Sequence, residues 1–118
     1  LLSPVSTWHD VADLARDIGY PVIVVARCGL GTINHSLMTI EAARRRGLIV
    51  CGVVLNQSHP ADDIALASDN AVEIEARSGA PVLGVHAWQS QDGLQRDGQT
   101  VTIRWPNLAL KPVSGSSL

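Results

Sequence analysis

The sequence predicts an α/β fold: a parallel sheet with helices on both faces. Apolar, β-branched runs of strand length recur at 22–25, 48–55 and 82–85. Stretches of ten or more residues with helical spacing separate them. Each helical stretch closes on a glycine, Gly19, Gly47 or Gly79, just before the next apolar run. Strands alternating with such helices read as right-handed β–α–β crossovers of a parallel sheet.

Leu1-Leu2-Ser3-Pro4-Val5 reads as a strand end entering a loop. Thr7 with Asp10 three residues on has the form of a capping box. Val11, Leu14, Ala15 and Ile18 then make one apolar helix face that Gly19 ends. Pro21 opens the strand Val22–Val25. The next helix runs from about Thr32 to Gly47, with Ile33, Leu37 and Ile40 as its stripe. Leu48 to Leu55 is a nearly unbroken apolar run ending at Asn56, and Gln57-Ser58-His59-Pro60 is a polar loop. A helix follows Asp62, buries Ile64, Ala67, Ala71 and Ile74, and stops at Gly79. Pro81 opens the strand Val82–Val85. Beyond Trp88 the chain turns polar, and Thr100–Trp105 alternates as a short strand, either a hairpin arm or a sheet edge. Asn107–Leu110 is either a closing strand or part of the tail, and Val113–Leu118 reads as frayed. The organisation is thus a main unit, 1–88, and an appended region, 89–118.

Composition narrows the function. The 118 residues make one domain or part of one, with a formal net charge of −2. Arg44-Arg45-Arg46 ends a helix and suits its dipole, so no nucleic-acid partner is expected. No apolar run reaches membrane-spanning length and no signal-peptide pattern appears, which points to no membrane partner and a cytoplasmic location. Cys28 and Cys51 lie in or beside apolar strands and read as reduced, packed thiols. His9, His35, His59 and His86 are scattered, without His-Glu-x-x-His or Cys-x-x-Cys, so no zinc set is expected.

The block Val22-Ile-Val-Val-Ala-Arg-Cys-Gly-Leu-Gly-Thr-Ile-Asn-His35 runs from strand through glycine loop into a helix start. Unpaired backbone N–H groups there favour an anion by roughly 0.3–1 kcal/mol from the helix dipole alone. The same glycines also serve as a plain packing turn. Gly-Leu-Gly is not Gly-x-Gly-x-x-Gly, so a dinucleotide fingerprint is absent. In open parallel sheets ligands gather at the carboxyl ends of strands. That rule puts the 28–34 loop, Asn56 and the segment after Val85 on one edge.

Leu2-Ser-Pro-Val-Ser6, Ala12-Asp-Leu-Ala15, Pro21-Val-Ile-Val-Val25, Leu30-Gly-Thr-Ile-Asn-His35, Gly52-Val-Val-Leu-Asn56 and Pro81-Val-Leu-Gly-Val85 with Trp88 closely resemble dethiobiotin synthetase. The likeness spans about Leu1 to Trp88 and rests mainly on the Leu-Gly-x-Ile-Asn-His string. It implies a partial P-loop NTPase fold, Rossmann-like and three-layered. The implied activity is an ATP- and magnesium-dependent ligase that carboxylates 7,8-diaminopelargonate and closes the ureido ring in biotin synthesis. By resemblance, Leu30, Gly31, Thr32, Ile33 and Asn34 offer backbone amides to the substrate carboxylate across a homodimer interface. Asn56 meets the adenine, or caps the turn that follows it, and His86 and Ala87 complete the base pocket. The family usually has proline where Ala87 stands.

The family's Walker A Gly-Lys-Thr and its Glu-Gly-Ala-Gly-Gly strand end have no counterpart here, and the one lysine, Lys111, follows no glycine loop. The chain therefore resembles the family's C-terminal portion. No catalytic residue or metal ligand is assigned, and inactivity alone is expected. The alternative is a noncatalytic dimerisation or regulatory domain of the same superfamily. His35 is read as structural; Trp88 is either a core anchor or a stacking surface.

Overall fold

The computed structural model describes residues 1–109. The elements in order are α1 (Val11–Ile18), β1 (Val22–Arg27), α2 (Thr32–Arg45), β2 (Val50–Asn56), a 3₁₀ turn (Ile64–Leu66), α3 (Ala67–Ser78), β3 (Val82–His86), β4 (Leu94–Arg96), β5 (Gln99–Val101) and α4 (Trp105–Ala109). One sheet in the order β1-β2-β3-β4-β5 joins all the strands. β1, β2 and β3 are parallel, as expected, while β4 and β5 form an antiparallel extension.

β2 is the centre of the sheet. Val50 through Leu55 are all buried, which suits a strand flanked on both sides and explains its lack of polar alternation. α2 and α3 pack against each other and against the parallel strands, so they share one face. Ile40, Ala43, Ala71 and Ile74 from these helices meet Val24, Val53, Leu55 and Val82 in the core. On the opposite face Leu83 lies over Gly52, where a Cβ would stand 2.7 Å from its side chain. Val25 on that face is 66% exposed.

The first helix starts one turn later than Thr7 suggests. Asp10 is the N-cap, accepting from the Asp13 backbone N–H while the Asp13 carboxylate accepts from that of Asp10. The reason lies upstream: the Leu1 and Ser3 carbonyls accept from Ala12 and Val11, and Pro4 bridges Asp10, holding Asp10 extended. Leu1–Val5 thus folds back on α1 instead of ending a strand. Arg46 reaches Asp10 at 2.9 Å and ties α1 to the end of α2.

The strand expected at 100–105 lies earlier. Asp97 (φ 52°) and Gly98 (φ 77°) form a two-residue turn with both central residues left-handed, the type I′ geometry that Asp-Gly favours. That turn fixes the pairs Arg96↔Gln99, Gln95↔Thr100 and Leu94↔Val101. Trp105–Ala109 is a short helix with Pro106 in its first turn, where a missing N–H costs nothing. Asn107–Ala109 is therefore helical, not a strand; Leu110 and the 113–118 tail lie outside the described residues.

Arg96 clasps the hairpin to the rest of the sheet. Its guanidinium donates to Glu75 Oε1 at 2.7 Å and to the Val82 carbonyl, while Glu75 Oε2 accepts from the Val82 N–H at 2.9 Å. The Arg96 hydrogen bond holds the Glu75 carboxyl below its ordinary value against the opposing effect of burial. A depressed folded-state pKa means that this stabilisation is present above the unfolded value of about 4.3 and is lost as pH falls through the lower folded value. Thermal unfolding from about pH 6 to about pH 3 should therefore show a steeper loss for the wild type than for Glu75→Gln.

Gly84 permits β4 to sit beside β3. A Cβ there would lie 2.8 Å from Leu94 Cβ and 3.2 Å from the Gln95 carbonyl oxygen, neither of them a freely moving group. Gly84→Ala should lower stability by about 1–3 kcal/mol. It should also accelerate hydrogen exchange selectively over 94–101.

Candidate functional site

The three parallel strands end in one row. Arg27 pairs with Asn56, and Asn56 pairs with His86, so the last residues of β1, β2 and β3 stand side by side at the carboxyl edge. The glycine loop closes this edge next to β1. Cys28 donates its N–H to the Asn56 carbonyl at 3.0 Å, carrying the ladder one residue past the strand. Its thiol is buried, and burial with nearby Asp62 pushes its pKa up, which suits an inert packed group. Neither Cys28 nor Cys51 is in a disulfide; the Cys51 thiol faces the Val22 carbonyl at 3.4 Å.

Gly29 (φ 141°) and Gly31 (φ 87°) both take left-handed conformations. Gly31 is the N-cap of α2, and no side chain caps that terminus. The His35 N–H returns to the Gly31 carbonyl at 3.0 Å and starts the helix. Leu30, Gly31, Thr32, Ile33 and Asn34 all border one cavity of about 740 Å³. Leu30 is fully exposed at the loop tip, whereas Thr32 is buried. The Thr32 and Ser36 hydroxyls, one turn apart on α2, are buried without a hydrogen-bond partner among the described residues. They border a second depression of about 300 Å³ with Arg27 and His35.

The other wall of the larger cavity comes from the region before α3 and from α3 itself: Asp63, Asn70, Glu73 and Arg77. Arg77 and Glu73 pair at 2.7 Å. The sequence reading missed these four residues. Asn70, Glu73 and Arg77 are spaced as a solvent face of α3 and Asp63 precedes it, so only the packing of α3 against α2 brings them opposite the loop. Asp63 caps the 3₁₀ turn by accepting from Ala65 at 3.0 Å, which also interrupts the continuous helix expected after Asp62.

The Asn56 side chain does not cap the following turn. Its amide meets His86 Nδ1 at 3.1 Å, and His86 Nε2 faces the Ser90 carbonyl at 3.2 Å. Gln57 and Asp62 organise the turn instead: Gln57 Nε2 donates to the Asp62 carbonyl, and Asp62 accepts from the His59 N–H. Gln57 Oε1 accepts from the Trp88 N–H at 2.8 Å and holds the two loops together. Trp88 is 42% exposed and lies beside the His59 ring, with centroids 6.4 Å apart, so it is not a core anchor. Ala87 borders a depression of about 170 Å³ between Ile64 and the β4–β5 turn. Asn56 and His86 are thus brought together, while the 30–34 loop and Ala87 flank them on separate surfaces. Among the described residues no three His, Cys, Asp or Glu side chains are grouped to hold a metal ion, and no helix is long and apolar enough to cross a membrane.

A parallel α/β sheet with a strand–glycine loop–helix element at its carboxyl edge defines a domain of the P-loop nucleotide-binding fold class. The family described as an AAA domain matches residues 1–92, and the chain belongs to it. Within that family it is similar to ATP-dependent dethiobiotin synthetases, as the sequence resemblance implied. The protein of that name from Anaeromyxobacter dehalogenans strain 2CP-1 is 46% identical over 89 residues, 75% of this chain and 40% of that protein. The one from Anaeromyxobacter sp. strain K is 56% identical over 63 residues, 53% of this chain and 28% of that protein. The Thermodesulfovibrio yellowstonii protein is 35% identical over 95 residues, 80% of this chain and 40% of that protein. The chain spans about 40% of the length of the first of these relatives.

The 30–34 loop depends on backbone geometry more than on side-chain space. A Cβ on Gly31 would meet only His35 Cε1 at 3.8 Å, an ordinary contact. Gly31→Ala should therefore cost the left-handed penalty alone, about 1–2 kcal/mol, and Gly31→Asn less. Denaturant unfolding of the two variants checks the order.

Proposed function

We propose that this chain is the base-binding and substrate-tail-binding portion of an ATP-dependent dethiobiotin synthetase. The observation that carries the reading is the placement of the uncapped α2 terminus and the Asn56–His86 pair along the same carboxyl edge of the sheet. In this reading the backbone N–H groups of the 30–34 loop receive the carboxylate of 7,8-diaminopelargonate. The buried Thr32 and Ser36 hydroxyls add polarity beneath that loop. Asn56 reads the adenine through an amide able both to donate and to accept, with His86 behind it and Ala87 at the margin of the base pocket.

Among the described residues no three His, Cys, Asp or Glu side chains are grouped to hold a magnesium ion. In this reading phosphoryl chemistry and carboxylation belong to groups outside them, and the chain alone is inactive. The functional unit is a cytoplasmic homodimer in which the loop of one protomer completes a site with its partner. Neither nucleic acid nor membrane takes part.

Isothermal titration of the chain with 7,8-diaminopelargonate, and separately with ATP and magnesium, tests this. The diamino acid should bind the wild type and be lost in Gly31→Val. ATP should bind weakly and lose about 5- to 100-fold in affinity in Asn56→Ala, the range for one hydrogen-bonding group of a buried site. A folded chain silent toward both ligands would overturn the reading in favour of a noncatalytic association domain.

A further inference from the structure

We propose that His86 is a positioning residue that fixes which end of the Asn56 amide faces the nucleotide base, and thereby selects an amino-bearing purine over an oxo-bearing one. The inference rests on the reading of Asn56 as the base-contacting residue and adds a specificity determinant to it.

The His86 ring lies between two groups. Nε2 stands 3.2 Å from the Ser90 backbone carbonyl and Nδ1 stands 3.1 Å from Asn56 Oδ1. A carbonyl oxygen only accepts, so in the neutral imidazole Nε2 carries the proton and Nδ1 is an acceptor. Nδ1 then requires a donor, and the Asn56 amide supplies one when it is turned over so that Nδ2 takes the place of Oδ1 at this contact. The oxygen and nitrogen of an asparagine amide are nearly isosteric, and their assignment follows from the hydrogen-bond network. Because the Ser90 carbonyl cannot turn and the amide can, the orientation that satisfies both ring nitrogens is the turned one, with Nδ2 toward His86 and Oδ1 away from it.

The ring itself is held. Asn56 and His86 are Cα partners at the ends of neighbouring parallel strands, and the Gln57 N–H donates to the His86 carbonyl at 2.8 Å. Ser90 is anchored by donating its N–H to the Ala87 carbonyl at 3.1 Å, which fixes the acceptor that Nε2 sees. With one imidazole nitrogen committed to an immobile carbonyl, the other transmits a single hydrogen-bond polarity to Asn56. An outward Oδ1 accepts from an exocyclic amino group such as that of adenine. It faces the 6-oxo oxygen of guanine lone pair to lone pair, an arrangement that rejects guanine.

The test has two arms on the chain as it exists. Long-range ¹⁵N correlation spectra at pH 7.5 report the His86 tautomer, and titrations with ATP and with GTP report discrimination. Expected are an unprotonated Nδ1 with a protonated Nε2, and a preference for ATP that falls roughly tenfold in His86→Phe, where the ring volume remains but the amide is free to rotate. Asn56→Asp, which keeps an outward acceptor, should retain the preference. An Nδ1–H tautomer, an imidazolium, or an unchanged preference in a folded His86→Phe variant would overturn the proposal. The expected tautomer in a chain that binds neither nucleotide would instead overturn the base-binding reading and the discrimination claim with it, leaving only the amide orientation.

Discussion

Burial of β2 between two parallel neighbours is the constraint on which the rest depends. A strand with six consecutive buried residues has its backbone groups satisfied only by ladders on both sides, and those ladders set the register of β1 and β3. The register aligns Arg27, Asn56 and His86 at one edge. Without it the glycine loop and the Asn56–His86 pair would have no fixed relation. The site is therefore a consequence of core packing: apolar pairs such as Val24 and Val53 decide where the polar groups emerge.

The polar groups at that edge divide the work. Backbone geometry at Gly31 shapes the start of α2, where no side chain provides a cap. Side-chain geometry at Asn56 and His86 shapes the other half through direct contact. Gln57, Asp62 and Trp88 join the loops behind them, so the edge is held by hydrogen bonds across three connections. The Arg96–Glu75 clasp performs a similar service at the hairpin side, where a short antiparallel extension would otherwise hang on one register pair, Val85↔Gln95.

The parallel core was legible in the sequence because it is written in long apolar runs and glycine stops, which local physics determines. The 48–55 run and the helices closing at Gly19 and Gly79 stand almost where periodicity puts them. The α1 start and the hairpin were misplaced for reasons that single-residue patterns do not carry. Asp10 became the N-cap because residues 1–4 fold back on it, and the Asp97-Gly98 turn moved the strands upstream of the alternating stretch. At the candidate site, the glycine loop and the strand end at Asn56 were visible from spacing. The cavity wall from Asp63, Asn70, Glu73 and Arg77 was not, because those residues look like an ordinary solvated helix face until α3 meets α2. The Asn56–His86 hydrogen bond spans thirty positions and has no local signature at all.

The two edges of the sheet are unlike. β5 is three residues long and presents Gln99 and Thr100 to solvent, a short polar border of the kind that discourages further pairing. β1 is six residues of Val22-Ile-Val-Val-Ala-Arg27, and no described strand pairs with its outer side. Among the described residues the sheet therefore has one short polar border and one longer apolar border, and only the polar one is shaped to stay single.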